Sequence, residues 1–236
     1  MDVSGGSTFH IETNYLAGFS HIVKTSPRGK RSVVSRDFLA HETRTNPDGR
    51  VTEGFVGLKG QCASDLAALE AQIGQRLVSE YRGEDFCHAY QLDVTRHATY
   101  VADAGANALL KVSPRSAKIS TVAVLPPVKV TTGAELLDAL NAMLAGIPEL
   151  PEDTTAPDCL LGKTFVAEPV PTDVEMLGGE VSVIPKGSRK STTLFAADSP
   201  GDVEVHGNTV YATTGVFDPE GNGTVVKVDY RHRGRR

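Results

Sequence analysis

The sequence contains no tryptophan, and aromatic residues make up only 6% of its 236 positions. Stacking platforms for single-stranded nucleic acid need exposed aromatic rings, so nucleic acid is not an expected partner. No apolar run reaches the ~18 residues that a membrane-spanning helix requires, so no membrane span is expected. The N-terminus also lacks a charged start followed by an apolar stretch, which is the pattern of a signal peptide. The net charge of −5 is ordinary for a globular chain.

Cysteine is scarce and carries no motif. The chain has three cysteines, none of them in a CxxC pair, which gives no support to a zinc knuckle or a thioredoxin-like redox site. The odd number leaves at least one thiol unpaired within the chain. Two interpretations stay open: buried or loop thiols throughout, or one disulfide between Cys62 and Cys87 in an exported chain.

Several catalytic and binding patterns are also absent. The sequence has no nucleotide-binding glycine loop, no G-x-S-x-G serine and no closely spaced histidine pair. It ends in a short basic tail, residues 231–236, on an otherwise acidic chain. A tail of this length is expected to be a solvated end rather than a nucleic-acid arm.

A repeated pattern of strand, turn and strand is the most informative feature of the sequence. The pattern occurs in full at 99–112 and 209–229, where the first strand carries a tyrosine and the second a lysine. Its second half recurs at 21–25 and 181–186. A short β-branched run follows three of the copies, and an Asp-Val pair precedes three of them, at 93–94, 173–174 and 202–203. Four antiparallel strands in each repeat are typical of a β-propeller blade.

Two segments break the strand pattern and are predicted to be helical insertions, near 64–79 and 132–146. The first has Leu66, Leu69, Ile73 and Leu77 on one face, with Ser64 as the expected N-cap. The second begins with an expected capping box between Thr132 and Glu135. We expect these apolar faces to pack on the face of the propeller.

The strand-bearing stretches suffice for roughly three blades of about 40–45 residues. Closed propellers contain about four to eight blades. We therefore predict an all-β fold, a β-propeller that is incomplete or has few blades, forming one domain over residues 1–236.

Residues 99–124 resemble the ScyD/ScyE family, a group of propeller proteins named after scytonemin-cluster products. Residues 165–175 and 202–214 are also similar to that family, which is distantly related to NHL-repeat and SMP-30-like propellers. The resemblance implies a secreted or periplasmic protein, although the missing signal pattern leaves a cytoplasmic location open. A non-enzymatic binding or scaffold module without a cofactor, which presents a propeller face to a small molecule or a protein, is favoured because the acids recur at the starts of the repeats and no histidine cluster supports catalysis. Whether the chain is an enzyme stays open.

The alternative function is that of an SMP-30-like lactonase, in which acids at the channel mouth hold a divalent metal such as calcium. The weak candidates for such ligands are Glu168, Asp173, Asp202, Asp103 and Asn107. Each also has a structural interpretation. Asp103 and Asn107 can satisfy backbone groups in a turn around Gly105, and Asp173 and Asp202 can hydrogen bond to strand ends. A third interpretation, a shortened chain without a stable function, also stays open.

Overall fold

The computed structural model describes residues 1–83, 87–167, 179–185, 187–197, 200–215 and 223–229. Among the predicted features, Glu168, Asp173 and the basic tail lie outside these residues. The described chain is mostly antiparallel β-structure, which confirms the all-β class. It divides into two compact units, 1–48 with 84–126 and 169–236, and 49–83 with 127–168. A single domain over the whole chain stays a prediction.

The first unit begins with one four-stranded meander and one helix. These elements are β1 (Asp2–Ser4), β2 (Ser7–Asn14), β3 (Phe19–Thr25), β4 (Arg31–Val33) and α1 (Phe38–Thr45). The repeat in the sequence marks only the second half of this sheet, and no predicted element corresponds to α1. Asp37 is the N-cap of α1, since its Oδ1 accepts from the backbone N–H of Leu39 at 2.9 Å.

The second unit opens with three elements and takes three more from later in the chain. The first three are β5 (Thr52–Phe55), α2 (Gln61–Ile73) and β6 (Tyr81–Arg82). The chain then returns to the first unit for a second meander, made of β7 (Ala89–Val94), β8 (Thr99–Asp103), β9 (Ala108–Val112) and β10 (Ile119–Val124). This meander has the strand order that the repeat predicts.

The later strands complete both units. β11 (Val128–Thr131), α3 (Ala134–Ala145) and β12 (Thr164–Ala167) belong to the second unit, where the sheet order is β11-β12-β5-β6. The remaining strands form one pair and one three-stranded meander in the first unit: β13 (Gly179–Val183) with β14 (Thr192–Ala197), then β15 (Val203–His206), β16 (Thr209–Thr214) and β17 (Thr224–Asp229). These sheets do not by themselves identify a propeller.

The two predicted helices are present, but α2 ends at Ile73, so Leu77 lies beyond it, and both predicted N-caps are wrong. The N-caps are Gly60 and Gly133, and neither uses a side chain. Ser64 lies inside the first turn of α2, where its hydroxyl is within 3.3 Å of the Gly60 carbonyl. The Thr132 hydroxyl instead donates to the Lys163 carbonyl beside β12 at 3.1 Å. The helices pack on each other and on β5, in a core that includes Leu66, Leu69, Leu140, Leu144 and Phe55.

The predicted pairing of Cys62 with Cys87 is wrong. Cys62, at the start of α2, is bonded to Cys159, with 5.8 Å between their Cα atoms. Cys87 is a free, fully buried thiol in the first unit. No local sequence pattern indicates that α2 lies beside a segment 97 residues away.

Candidate functional site

The three meanders of the first unit share one row of side chains across their strands. In the second meander, Asp93 lies opposite Tyr100, which lies opposite Lys111, which lies opposite Ser120. The first meander repeats this row as Asp2, Phe9, Lys24 and Ser32, and the last repeats it as Glu204, Tyr211 and Lys227. The predicted tyrosine–lysine repeat is therefore a register of directly opposed residues.

The row corrects the predicted alignment of the Asp-Val pairs. Glu204, rather than Asp202, occupies the position of Asp93, because Glu204 pairs with Tyr211 as Asp93 pairs with Tyr100. Each acid precedes its aromatic partner by seven residues, from Asp2 to Phe9, from Asp93 to Tyr100 and from Glu204 to Tyr211. This constant spacing is the signal in the sequence that identifies Asp2 and Glu204, neither of which is among the predicted site residues.

The acids that begin these rows lie near one another. Partial burial raises the pKa of Asp93, and the negative charges of Asp2 and Glu204 raise it further. Asp2 also reaches the second meander directly, since its Oδ2 accepts from the backbone N–H of Val94 at 2.5 Å. The first strands of the three meanders, β1, β7 and β15, therefore bring three equivalent carboxylates into one electrostatic cluster, which we call the inner acid cluster (Asp2, Asp93 and Glu204).

Asp202 lies beside this cluster and is exposed. Its Oδ1 accepts from Nε2 of Gln91 at 2.7 Å and from the backbone N–H of Val203 at 2.9 Å. Its own backbone N–H donates to the hydroxyl of Thr213 at 2.8 Å. Asp202 thus ties the start of β15 to β16 and to the second meander, which agrees with the structural interpretation of a strand-end acid.

Asp103 is fully buried at the end of β8 and accepts three hydrogen bonds. Its Oδ1 accepts from the backbone N–H groups of His88 at 2.8 Å and Ala106 at 3.3 Å, and its Oδ2 accepts from Sγ of Cys87 at 3.2 Å. Burial raises the pKa of the Cys87 thiol, and the Asp103 charge raises it further. A thiol held in its neutral form is a poor nucleophile, so this arrangement favours structure over reactivity.

Asn107 closes the same turn. It adopts a left-handed conformation with φ of 46°, whereas Gly105, where a positive φ was expected, does not. Nδ2 of Asn107 donates to Oδ2 of buried Asp48 at 2.8 Å, and its backbone carbonyl accepts from Leu125 at 2.8 Å. Asp103 and Asn107 lie in the same turn, as predicted, and the contacts of both are those of a buried turn.

The first meander has the same turn in an exposed form. Asn14 Oδ1 accepts from the backbone N–H of Ala17 at 2.9 Å, as Asp103 accepts from Ala106. Gly18, with φ of 72°, takes the left-handed place of Asn107. The two hairpins therefore use one turn design, and only the second one is buried among polar partners.

The candidates were also considered as a metal site. Glu168 and Asp173 lie outside the described residues, and within those residues no group of three or more His, Cys, Asp or Glu side chains is arranged to hold a metal ion. A cavity of about 210 Å³ lies in the second unit against Phe55, Leu58, Ala63 and Leu66, with Ser79 and Glu80 at its polar side. It carries none of the predicted site residues. Among the helices in the described part of the chain, none is long and apolar enough to cross a membrane.

No family model, curated protein or solved structure matches the chain. The resemblance to the ScyD/ScyE family therefore stays a prediction from the residues quoted for it.

Proposed function

We propose that the chain is a ScyD/ScyE-like β-propeller protein that acts as a non-enzymatic binding or scaffold module and needs no cofactor. The observation that carries this proposal is the inner acid cluster. In a propeller the innermost strands of successive blades meet around one axis, so equivalent positions of different blades lie close together. The electrostatic coupling of Asp93 with Asp2 and Glu204 is what such an arrangement produces.

The chemistry of the buried polar groups supports a binding role over a catalytic one. Both oxygens of Asp103 accept hydrogen bonds from groups of the chain itself, and Asn107 bridges to Asp48 and Leu125. Groups committed to the backbone in this way stabilise the meander. The exposed loops and inner acids are then the surface offered to a small-molecule or protein partner.

The architecture is tested by distances between spin labels on cysteine variants at positions 3, 94 and 205, the residues that follow the three acids. A radial arrangement predicts that all three pairwise distances are short and of similar size. Two short distances and one long distance would contradict it, because an open row of sheets separates only the first strand from the last.

The binding role is tested against the lactonase alternative by assaying the full chain with simple γ- and δ-lactones, with and without added Ca²⁺. We expect hydrolysis at the rate of buffer alone. Calcium-dependent hydrolysis that Asp202→Asn abolishes would overturn the non-enzymatic proposal. Asp153→Asn is the matched control, since Asp153 is an exposed acid in the other unit.

A further inference from the structure

In the part of the chain that the structure describes, no strand covers the outer edge of β17 as one covers its counterparts. β17 is the lysine-bearing third strand of its meander, as β3 and β9 are of theirs. β3 is covered by β4 and β9 by β10, but in the described ranges no strand pairs with the second edge of β17. Among the described residues, the last meander thus has three strands where the other two have four.

The backbone of β17 is oriented for pairing at that edge. Thr213 exchanges hydrogen bonds with Gly201 and Asp202, so alternate residues of β16, including Tyr211, direct their backbone groups toward β15. Lys227, opposite Tyr211, therefore directs its N–H and carbonyl away from β16. In the first meander the backbone of the lysine is oriented in the same way. The Ile22 carbonyl and the Ser26 N–H, two residues on either side of Lys24, form hydrogen bonds on the β4 side of the strand.

The strand is also exposed along its length. Thr224, Val225, Lys227 and Asp229 are all exposed, and Val225 retains 66% of its accessible surface. An exposed edge strand with unpaired N–H and carbonyl groups is a template for another extended segment.

The complete meanders define the chemistry of the segment that fits. A serine lies directly opposite the lysine in both, Ser32 opposite Lys24 and Ser120 opposite Lys111. β-Branched residues flank these serines, as Val33 does in β4 and as Ile119 and Thr121 do in β10. We propose that the edge of β17 binds an extended partner segment, antiparallel to β17, with a hydroxyl residue opposite Lys227 and β-branched neighbours.

A second copy of β17 fits this edge poorly. Pairing two β17 edges antiparallel about their centre places Lys227 opposite or beside the same lysine of the other copy. A lysine on an edge strand is one of the features that suppress this pairing. The inference uses only strand register and exposure, so it does not rest on the proposed propeller.

The test uses a fluorescent peptide with the sequence of residues 117–126, which contains β10, and measures its anisotropy with the full chain. Two variants form a matched pair. Lys227→Ala keeps the outward N–H, whereas Lys227→Pro removes it without removing a hydrogen bond to β16. We expect the peptide to bind the unmodified chain and Lys227→Ala within about threefold, and Lys227→Pro at least tenfold more weakly.

Three outcomes would overturn the proposal. The first is that the unmodified chain does not bind the peptide, and the second is that Lys227→Pro binds the peptide as tightly as the unmodified chain does. The third is a concentration-dependent dimer that Lys227→Pro abolishes, since this dimer would assign the edge to a second copy. If Lys227→Pro does not fold, hydrogen exchange on the unmodified chain decides. The peptide should slow exchange at Val225, Lys227 and Asp229, and unchanged exchange at these amides would refute the site.

Discussion

Gln91 donates a hydrogen bond from Nε2 to Oδ1 of Asp202 at 2.7 Å, and the two residues hold the same position in two different meanders. Gln91 lies opposite Ala102, and Ala102 is the second residue after Tyr100. In the same way, Asp202 forms a hydrogen bond with Thr213, which is the second residue after Tyr211. The contact therefore joins equivalent points of β7 and the start of β15. It holds the same two strands together that carry Asp93 and Glu204.

This contact should be measurable as a coupling energy between strands 111 residues apart in sequence. Gln91→Ala and Asp202→Ala should each lower the free energy of unfolding, and the double variant should lose less than the sum. We expect a coupling of about 0.5–1 kcal/mol, since the bond is exposed but its acceptor is charged. Urea unfolding of the four proteins measures it. Strict additivity would mean that the contact does not hold the strands together.

The inner acid cluster should make Asp93 a destabilising residue at neutral pH. Burial, Asp2 and Glu204 all raise the pKa of Asp93, so the folded chain holds this proton more tightly than the unfolded chain. The stability that Asp93 contributes is therefore complete below its unfolded pKa of ~3.9 and is lost as the pH rises through the higher folded value.

Asp93→Asn should accordingly stabilise the chain at pH 7, by less than about 1 kcal/mol because the group is largely exposed and screened. The gain should shrink at pH 3 and in 1 M salt. Thermal unfolding across pH and salt measures both effects, with Asp153→Asn as the neutral comparison. A gain that salt does not reduce would point to burial of the Asp93 carboxylate, rather than to the charges of Asp2 and Glu204, as its cause.

The meanders were predictable because directly opposed side chains leave a repeat in the sequence. Tyr100 and Lys111 marked the second meander, but Phe9 stands where a tyrosine was sought, so the first half of the first meander was missed. The disulfide and the buried environment of Asp103 depend on contacts between distant segments. No local pattern around Cys62 or Cys87 records which partner the fold brings near.

The turns that begin at Asn14 and Asp103 contain the same side-chain-to-backbone hydrogen bond, exposed in the first turn and buried in the second. Asp103→Ala removes the acceptor for two backbone N–H groups and a thiol in a fully buried position. We expect a loss of about 3–5 kcal/mol, because buried donors are left unsatisfied. Asn14→Ala removes the same turn acceptor in an exposed position and should cost less than about 1 kcal/mol. Chemical unfolding measures both, and similar losses would show that burial contributes little at Asp103.

Glu70 should make the second unit sensitive to acid. Its Oε1 accepts from the backbone N–H groups of Leu77, Val78 and Ser79 at 2.8, 2.9 and 2.8 Å. Burial raises the pKa of Glu70, but these bonds and one with the Ser79 side chain outweigh it and lower the pKa overall. The stability from Glu70 is therefore present above its unfolded pKa of ~4.3 and is lost as the pH falls through the lower folded value.

Glu70→Gln should cost about 1 kcal/mol at pH 7, because an amide oxygen is a weaker acceptor than a carboxylate. The difference from the unmodified chain should vanish once the pH lies below the folded pKa. Unfolding curves from pH 7 down to pH 2 test this. A constant difference across that range would mean that the carboxylate charge is not what the three N–H groups recognise.

The disulfide should contribute about as much to stability as buried Asp103 and more than the other polar contacts. It joins residues 97 apart, and closing a loop of ~100 residues restricts the unfolded chain by about 4.7 kcal/mol in the chain-entropy treatment. The Cys62→Ser, Cys159→Ser double variant should therefore unfold at lower denaturant, and reducing the unmodified chain should give the same shift. Alkylation provides the control: the folded, oxidised chain should take up no label at buried Cys87 until it unfolds, and then one label per chain. Three labels without a reductant would mean that the bond does not form in solution.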